Sequence, residues 1–416
     1  MSTPFTKDMK QDYTILIPNM SPIHFDIMKA PFAIHGYKCI LLENTSHHVI
    51  EEGLKYVHND MCYPALLVIG QMIDAIKNKV ADPDRCAVVI TQTGGGCRAS
   101  NYYFLLIKAL EKAGYPQIPV ISLNFQGMNK NPGFKITIPM LVQAFSGLLY
   151  GDMLMMLSHQ VRPYEVNKGE TDALVKEWTQ KLTRMYRKNR GYFGHNLRKN
   201  FNRMSDDFAA IKVTKEKKVK VGVVGEIYMK YAPLGNNSLE QFLESEGCEV
   251  MLPPMLGFFL YGFSNGIKDH EYYGRKAGYA FFMKHIALPY LHTFEKALED
   301  ALHRNGFLAP ASIKELQGNT EGIIDLGCKM GEGWLLTAEM VELIEKGYSN
   351  IVCTQPFGCL PNHIVAKGMI RPLKEKYPES NIVPIDYDPS ATKVNQENRI
   401  KLMLAVAREN LDKQSD

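Results

Sequence analysis

Short aliphatic and β-branched runs alternate with longer amphipathic stretches over the first 125 residues. Runs at 13–18, 37–42, 86–91 and 118–123 have strand length, while 62–79 and 99–113 repeat their apolar positions at helical spacing. This alternation predicts βαβ units on a parallel sheet, with ligands at the carboxyl ends of the strands. From about 136 to 213 the pattern is helical, as at 138–158 and 171–187, which predicts a helical insert or linker. A charged boundary at 215–220 precedes a second alternation. Strands are expected at 219–227, 249–252, 350–354 and 381–386, and helices at 238–246, 272–304, 335–346, 361–376 and 397–410.

The expected architecture is therefore α/β, with two parallel-sheet domains, a helical insert and a crevice between the sheets. Its parts are an N-terminal α/β domain (1–135), the insert or linker (136–215) and a C-terminal α/β domain (216–416). A chain of 416 residues suits two or three such units. The apolar share of 45% and charged share of 22% are those of a globular protein.

Net charge changes this picture little. At +4, from 48 basic and 44 acidic residues, it gives no reason to expect a nucleic-acid or membrane partner. One stretch stands out: Lys181, Arg184, Arg187, Lys188, Arg190, Arg198, Lys199 and Arg203 fall between Glu177 and Asp206 with no acidic residue among them. It reads as a solvated helical face, as a site for an anion such as a nucleotide or coenzyme A, or as a dock for an acidic partner. Residues 1–10 are polar and lack a signal-peptide pattern. The stretch 251–263 is apolar but is interrupted by Pro253, Pro254, Gly257 and Gly262, and is too short to span a bilayer. A cytoplasmic protein without a membrane segment is expected.

Eight cysteines without an export signal point to metal or redox use rather than to disulfides. Their context repeats. Cys62-Tyr63-Pro64 is echoed by Cys359-Leu360-Pro361, and the segment from Ile90 to Gly94-Gly95-Gly96-Cys97 is echoed by Cys353-Thr354-Gln355-Pro356-Phe357-Gly358-Cys359. In each case a cysteine follows a turn and opens a helix. Proline suits the first helical turn, and the free N–H groups there lower a thiol's pKa and favour an anion. An iron-sulfur cluster is an anion held by thiolates, so Cys62, Cys97 and Cys359 are candidate ligands, with Cys353 a possible fourth. Zinc is the competing metal, although no C-x2-C pair occurs.

Cys39, Cys86 and Cys248 read as core residues. Cys328 reads as either an auxiliary ligand or a loop residue. The triple glycine is a candidate phosphate cradle or simply makes room for a cluster; it lacks P-loop and dinucleotide spacing. Arg98, Asn101 and His363 are placed to bind the cluster or its substrate. Glu226, Tyr228, Asn236 and Asn237, and likewise Asp386 and Asp388, put polar groups at strand ends.

Together these segments, with 59–65, 91–102, 225–228, 331–336, 355–363 and 385–389, resemble the 2-hydroxyacyl-CoA dehydratase and benzoyl-CoA reductase superfamily, in its activase-associated branch. The resemblance implies flavodoxin-like domains around a [4Fe-4S] cluster or a larger double-cubane cluster. It also implies an ATP-dependent activase as electron donor, homo- or hetero-oligomers, and single-electron chemistry on coenzyme A thioesters or another small substrate. The activase's own nucleotide-binding signatures are absent from the chain. The alternative reading is a non-catalytic iron-sulfur carrier or a scaffold that docks the activase.

Overall fold

The computed structural model describes residues 3–93, 96–123, 131–274 and 276–413. Two four-stranded sheets, parallel throughout, organise them. The first joins β1 (Thr14–Ile17), β2 (Lys38–Leu41), β3 (Cys86–Thr91) and β4 (Val120–Leu123) in the order β2-β1-β3-β4. Thr14 stands opposite both Lys38 and Cys86, and Val88 opposite Val120. The second joins β5 (Lys220–Gly225), β6 (Glu249–Met251), β7 (Asn350–Pro356) and β8 (Asn381–Tyr387) in the order β6-β5-β7-β8. The two orders are the same, so β3 and β7 occupy equivalent inner positions.

Inner strands are apolar on both faces because helices cover both sides of a parallel sheet. Thus Cys86–Ile90 and Ile351–Pro356 are buried without a break. Pro384 is tolerated because β8 lies at the sheet edge.

In the first half, α1 (Pro22–Ile34) and α2 (His47–Tyr56) precede α3 (Tyr63–Lys77), and α4 (Tyr102–Ala113) follows β3. Every residue of α3 from Tyr63 to Ile76 is buried. Gly70 allows α2 to cross it closely, since a Cβ there would stand 2.8 Å from the Gly53 nitrogen. Next come α5 (Ile138–Val161), α6 (Glu170–Arg187) and α7 (Gly194–Ala209). The second half adds α8 (Ile227–Tyr231), α9 (Leu239–Ser245), α10 (Met255–Tyr273), α11 (Leu288–His303), α12 (Trp334–Glu345), α13 (Leu360–Val365), α14 (Ile370–Lys376) and α15 (Lys393–Lys413).

The helices between the sheets are part of one packed body, not an appendage. One hydrophobic cluster runs from Leu16 and α3 through α5 to β5, β7 and α15. Asp152 of α5 accepts the Met255 and Leu256 N–H groups at 2.7 and 2.9 Å, capping α10. It also meets His24 of α1 at 2.9 Å, whose other ring nitrogen lies 2.8 Å from Ser21 Oγ. All three side chains are buried, so this relay serves to tie the halves together. Among the described residues, the long apolar helix is Ile138–Tyr164 rather than the 251–263 stretch. It is long and apolar enough to cross a membrane, but 78% of its apolar window is buried inside the protein.

Candidate functional site: three thiols and two carboxyls

Two of the cysteine turns meet across the halves. Cys62 caps α3 with extended backbone (φ −65°, ψ 146°), and Pro64 lies in the first turn. The next amide, Tyr63 N–H, donates to the Phe357 carbonyl at 2.9 Å, which pins this turn to the one before Cys359. Gly358 has φ +73°, and a Cβ there would stand 3.0 Å from Cys62 Cα and 3.3 Å from Arg98 Nη1. Only glycine suits that position, both for its backbone and for its space. Cys359 in turn caps α13, with Pro361 in the first turn.

Cys97 follows β3 and opens a 3-10 turn, Arg98–Asn101, that leads into α4. Arg98 reaches back to donate to the Asp60 carbonyl. The first residue of α4, Tyr102, places its hydroxyl 2.8 Å from Cys62 Sγ. The loop before α12 supplies the remaining wall. A Cβ on Gly96 would lie 2.8 Å from Met330 Sδ, and one on Gly331 (φ +61°) 2.9 Å from Pro361 Cγ. The 330–333 loop therefore touches the turns of both Cys97 and Cys359. Its Glu332 is buried and accepts the Ile227 N–H at 3.0 Å. Glu226 caps α8 through the Met229 N–H at 3.0 Å.

These groups lie near enough to influence one another's ionisation. Burial pushes the Cys97 thiol up to about 11, with Glu332, Glu226 and Cys62 adding to the rise. Cys359 is pushed far up by burial, then by Glu332, Glu226 and Cys97. Cys62 is raised by burial, against the opposing Tyr102 hydrogen bond. Glu226 rises to about 8 through burial and then Glu332, and Glu332 is itself raised by burial. The Tyr228 hydroxyl, in the same environment as Glu226 and Tyr63, is buried and has no hydrogen-bond partner among the described residues.

These donors fit a cationic centre. Three thiols and two carboxyls in low dielectric raise one another's pKa, and a metal among them reverses each shift. Thiolate donors suit iron-sulfur clusters. Among the described residues, no group of three or more His, Cys, Asp or Glu side chains is close enough to hold a single metal ion. A cluster holds its thiolates farther apart than one ion does.

The other candidate residues lie differently. Cys353 is fully buried in β7, with its sulfur 3.8 Å from Asn362 Oδ1. Burial raises it to about 12, and its charged neighbours are Asp386 and Lys367 rather than the other thiols. It lies within the strand beside Asn362, not at a helix start like the other three. Arg98, Asn101 and His363 are all exposed, and Arg98 lies against Gly358 and the Cys62 turn. Burial and then Lys367 hold the His363 ring below its ordinary value. Cys328 is exposed, Cys39 half-buried on β2, and Cys86 and Cys248 buried. Gly94 and Gly95 lie outside the described residues.

Glu332 and Tyr102 are the site residues that cysteine spacing does not reveal. The signal for Glu332 is its place between Gly331 and Gly333, both with positive φ. Comparison of the sequence with models of known protein families and with curated proteins gives no match.

Proposed function

We propose that this chain is an iron-sulfur redox protein, an enzyme or enzyme component, that holds one cluster on Cys62, Cys97 and Cys359 and passes single electrons to a substrate. The observation carrying this reading is the convergence of three thiols, Cys62 and Cys359 buried and Cys97 half-buried, each opening a helix, from turns far apart in sequence. The strand orders also support flavodoxin-like domains, since both sheets follow the 2-1-3-4 sequence of that class. Cys97 and Cys359 follow the carboxyl ends of equivalent strands, where such folds bind ligands.

When bound, the cluster, [4Fe-4S] or double-cubane, supplies one-electron transfer and Lewis-acidic iron. The chain's own groups shape that chemistry. Backbone N–H groups at the starts of α3 and α13 favour thiolate and sulfide charge. The Tyr102 hydroxyl supports the Cys62 sulfur. Glu226, whose carboxyl is raised by burial and then by Glu332 when no cluster is bound, lies beside Cys97 and Cys359 as an acid–base group. The Tyr228 hydroxyl, without a partner among the described residues, can orient a bound molecule.

The reading extends to an ATP-dependent activase as donor, a coenzyme A thioester or other small substrate, an oligomeric assembly and a cytoplasmic setting. The basic faces of α6 and α7 support an acidic partner. Among the described residues, none of the eight cations from Lys181 to Arg203 has an ion-pair partner.

Anaerobic reconstitution with iron and sulfide, followed by EPR before and after reduction with titanium(III), tests the redox reading. A one-electron signal that appears on reduction and reacts with an added acceptor supports it. A cluster that forms but never changes oxidation state leaves only the scaffold role, and the redox claim falls.

A further inference from the structure

The sequence echo pairs Cys62-Tyr63-Pro64 with Cys359-Leu360-Pro361, but the fold pairs the positions differently. Cys97 follows β3 and Cys359 follows β7, and these strands are equivalent in the two sheets. Cys62 opens α3, the helix immediately before β3. The helix immediately before β7 is α12, and it is opened by Glu332-Gly333. In the pseudo-repeat, then, Gly333 takes the cap position that Cys62 has in the first half, and Glu332 is the residue immediately before it.

Local packing agrees with that equivalence. The Glu332 loop contacts the Cys97 turn through Met330 on Gly96 and the Cys359 helix through Gly331 on Pro361. Gly333 has φ +48° and ψ −138°, a backbone that carries Glu332 inward and that L side chains avoid. The carboxyl is 6% exposed, and one oxygen is fixed by the Ile227 N–H. Its own backbone N–H also supports the carboxyl, which holds the group in place while lone pairs remain for a ligand. Glu226 is a weaker candidate because its carboxyl caps α8 through Met229. Cys353 is excluded by its place inside β7.

We propose that Glu332 is the fourth protein ligand of the cluster, so that one iron is bound by a carboxylate oxygen while Cys62, Cys97 and Cys359 bind the others. This rests on the iron-sulfur reading above. Carboxylate is a harder and more exchangeable donor than thiolate, so an iron held by Glu332 would be the one most open to exchange. No redox change accompanies ligation: the carboxyl loses its proton to solvent as the Fe–O bond forms.

The test uses anaerobically reconstituted full-length protein as wild type, Glu332→Gln, Glu332→Cys and Cys353→Ala, read by iron content, EPR and midpoint potential. Wild type and Cys353→Ala are expected to match. Glu332→Gln should lose about one iron in four and show a three-iron EPR signal on mild oxidation. Glu332→Cys should regain the fourth iron at a lower potential, a rescue that a merely structural role would not give. Glu332→Gln with wild-type iron, spectrum and potential would overturn the assignment while leaving the cluster intact. Loss of all iron from both Glu332 variants, with none regained by cysteine, also overturns it. Absence of iron from wild type instead defeats the underlying reading and the assignment with it.

Discussion

Gly358 carries more of the site than its size suggests. It turns the chain from β7 into Cys359 at φ +73° while Cys62 passes against its α-carbon. Gly358→Ala combines an unfavourable backbone with a close contact. It should cost about 1–3 kcal/mol in the unfolding free energy and lower iron retention. Urea denaturation and iron analysis of the same preparation check this. A variant as stable and as iron-loaded as wild type would show that the two turns do not need this contact.

Glu226 gives a residue-level pH test on the iron-free protein. Its carboxyl titrates near 8 in the fold, against an ordinary 4.5, because it is buried beside Glu332. A raised carboxyl favours the fold fully below the unfolded value and loses that contribution as pH rises through the folded one. Thermal stability should therefore fall between about pH 5 and pH 8.5. Glu226→Gln, neutral throughout, should flatten that fall. An equally steep decline in the variant would place the pH sensitivity elsewhere.

At the scale of elements, Asp152 joins α1, α5 and α10 through His24 and two capping N–H groups. Asp152→Ala leaves those buried partners unsatisfied and should cost about 3–5 kcal/mol. Asp152→Asn, which keeps one acceptor oxygen, should cost less. Chemical denaturation ranks the two, and equal losses would contradict the capping role.

The inner strands were readable because Val221, Val223 and Val224 or Ala87–Ile90 form unbroken apolar runs. Helices α1 and α10 were not. Pro31 interrupts the first, and Gly257, Gly262 and Gly266 dilute the second. Yet Gly266 has a tertiary reason, since Tyr279 occupies the space of a Cβ there. The expected helix at 361–376 is split into α13 and α14 by a 3-10 turn at Lys367–Met369. The candidate site was half legible for a similar reason. A cysteine opening a helix is a local signal. The pairing of Glu226 with Glu332, and the burial of Cys353 inside β7, depend on which strands become neighbours.

At the scale of the whole molecule, the helical layer must hold both sheets in one orientation for turns 62, 97 and 359 to meet. Arg162, just after α5, contributes to this by meeting Glu240 and Glu244 of α9 at 3.0 and 2.8 Å. Burial opposes the ionised form of Glu240, but His159 and Arg162 hold it down at about 2. A depressed carboxyl contributes fully above its ordinary 4.5, and this is lost as pH falls through the folded value. Wild type should therefore lose stability from about pH 4.5 downward, and Arg162→Met should lose less over that range while starting about 2 kcal/mol lower. Urea midpoints at about pH 7, 4.5 and 3 measure both effects. An unchanged acid slope would remove this ion pair from the account.

The central claim is that three thiols from distant turns hold one cluster. The most direct measurement is iron and acid-labile sulfide per chain after anaerobic reconstitution, in wild type and in Cys62→Ala, Cys97→Ala, Cys359→Ala and Cys353→Ala. The account predicts about four irons, or about eight for a double-cubane cluster, with marked loss in the first three variants and none in the fourth. Wild-type protein without iron, or the first three variants with undiminished iron, would contradict it.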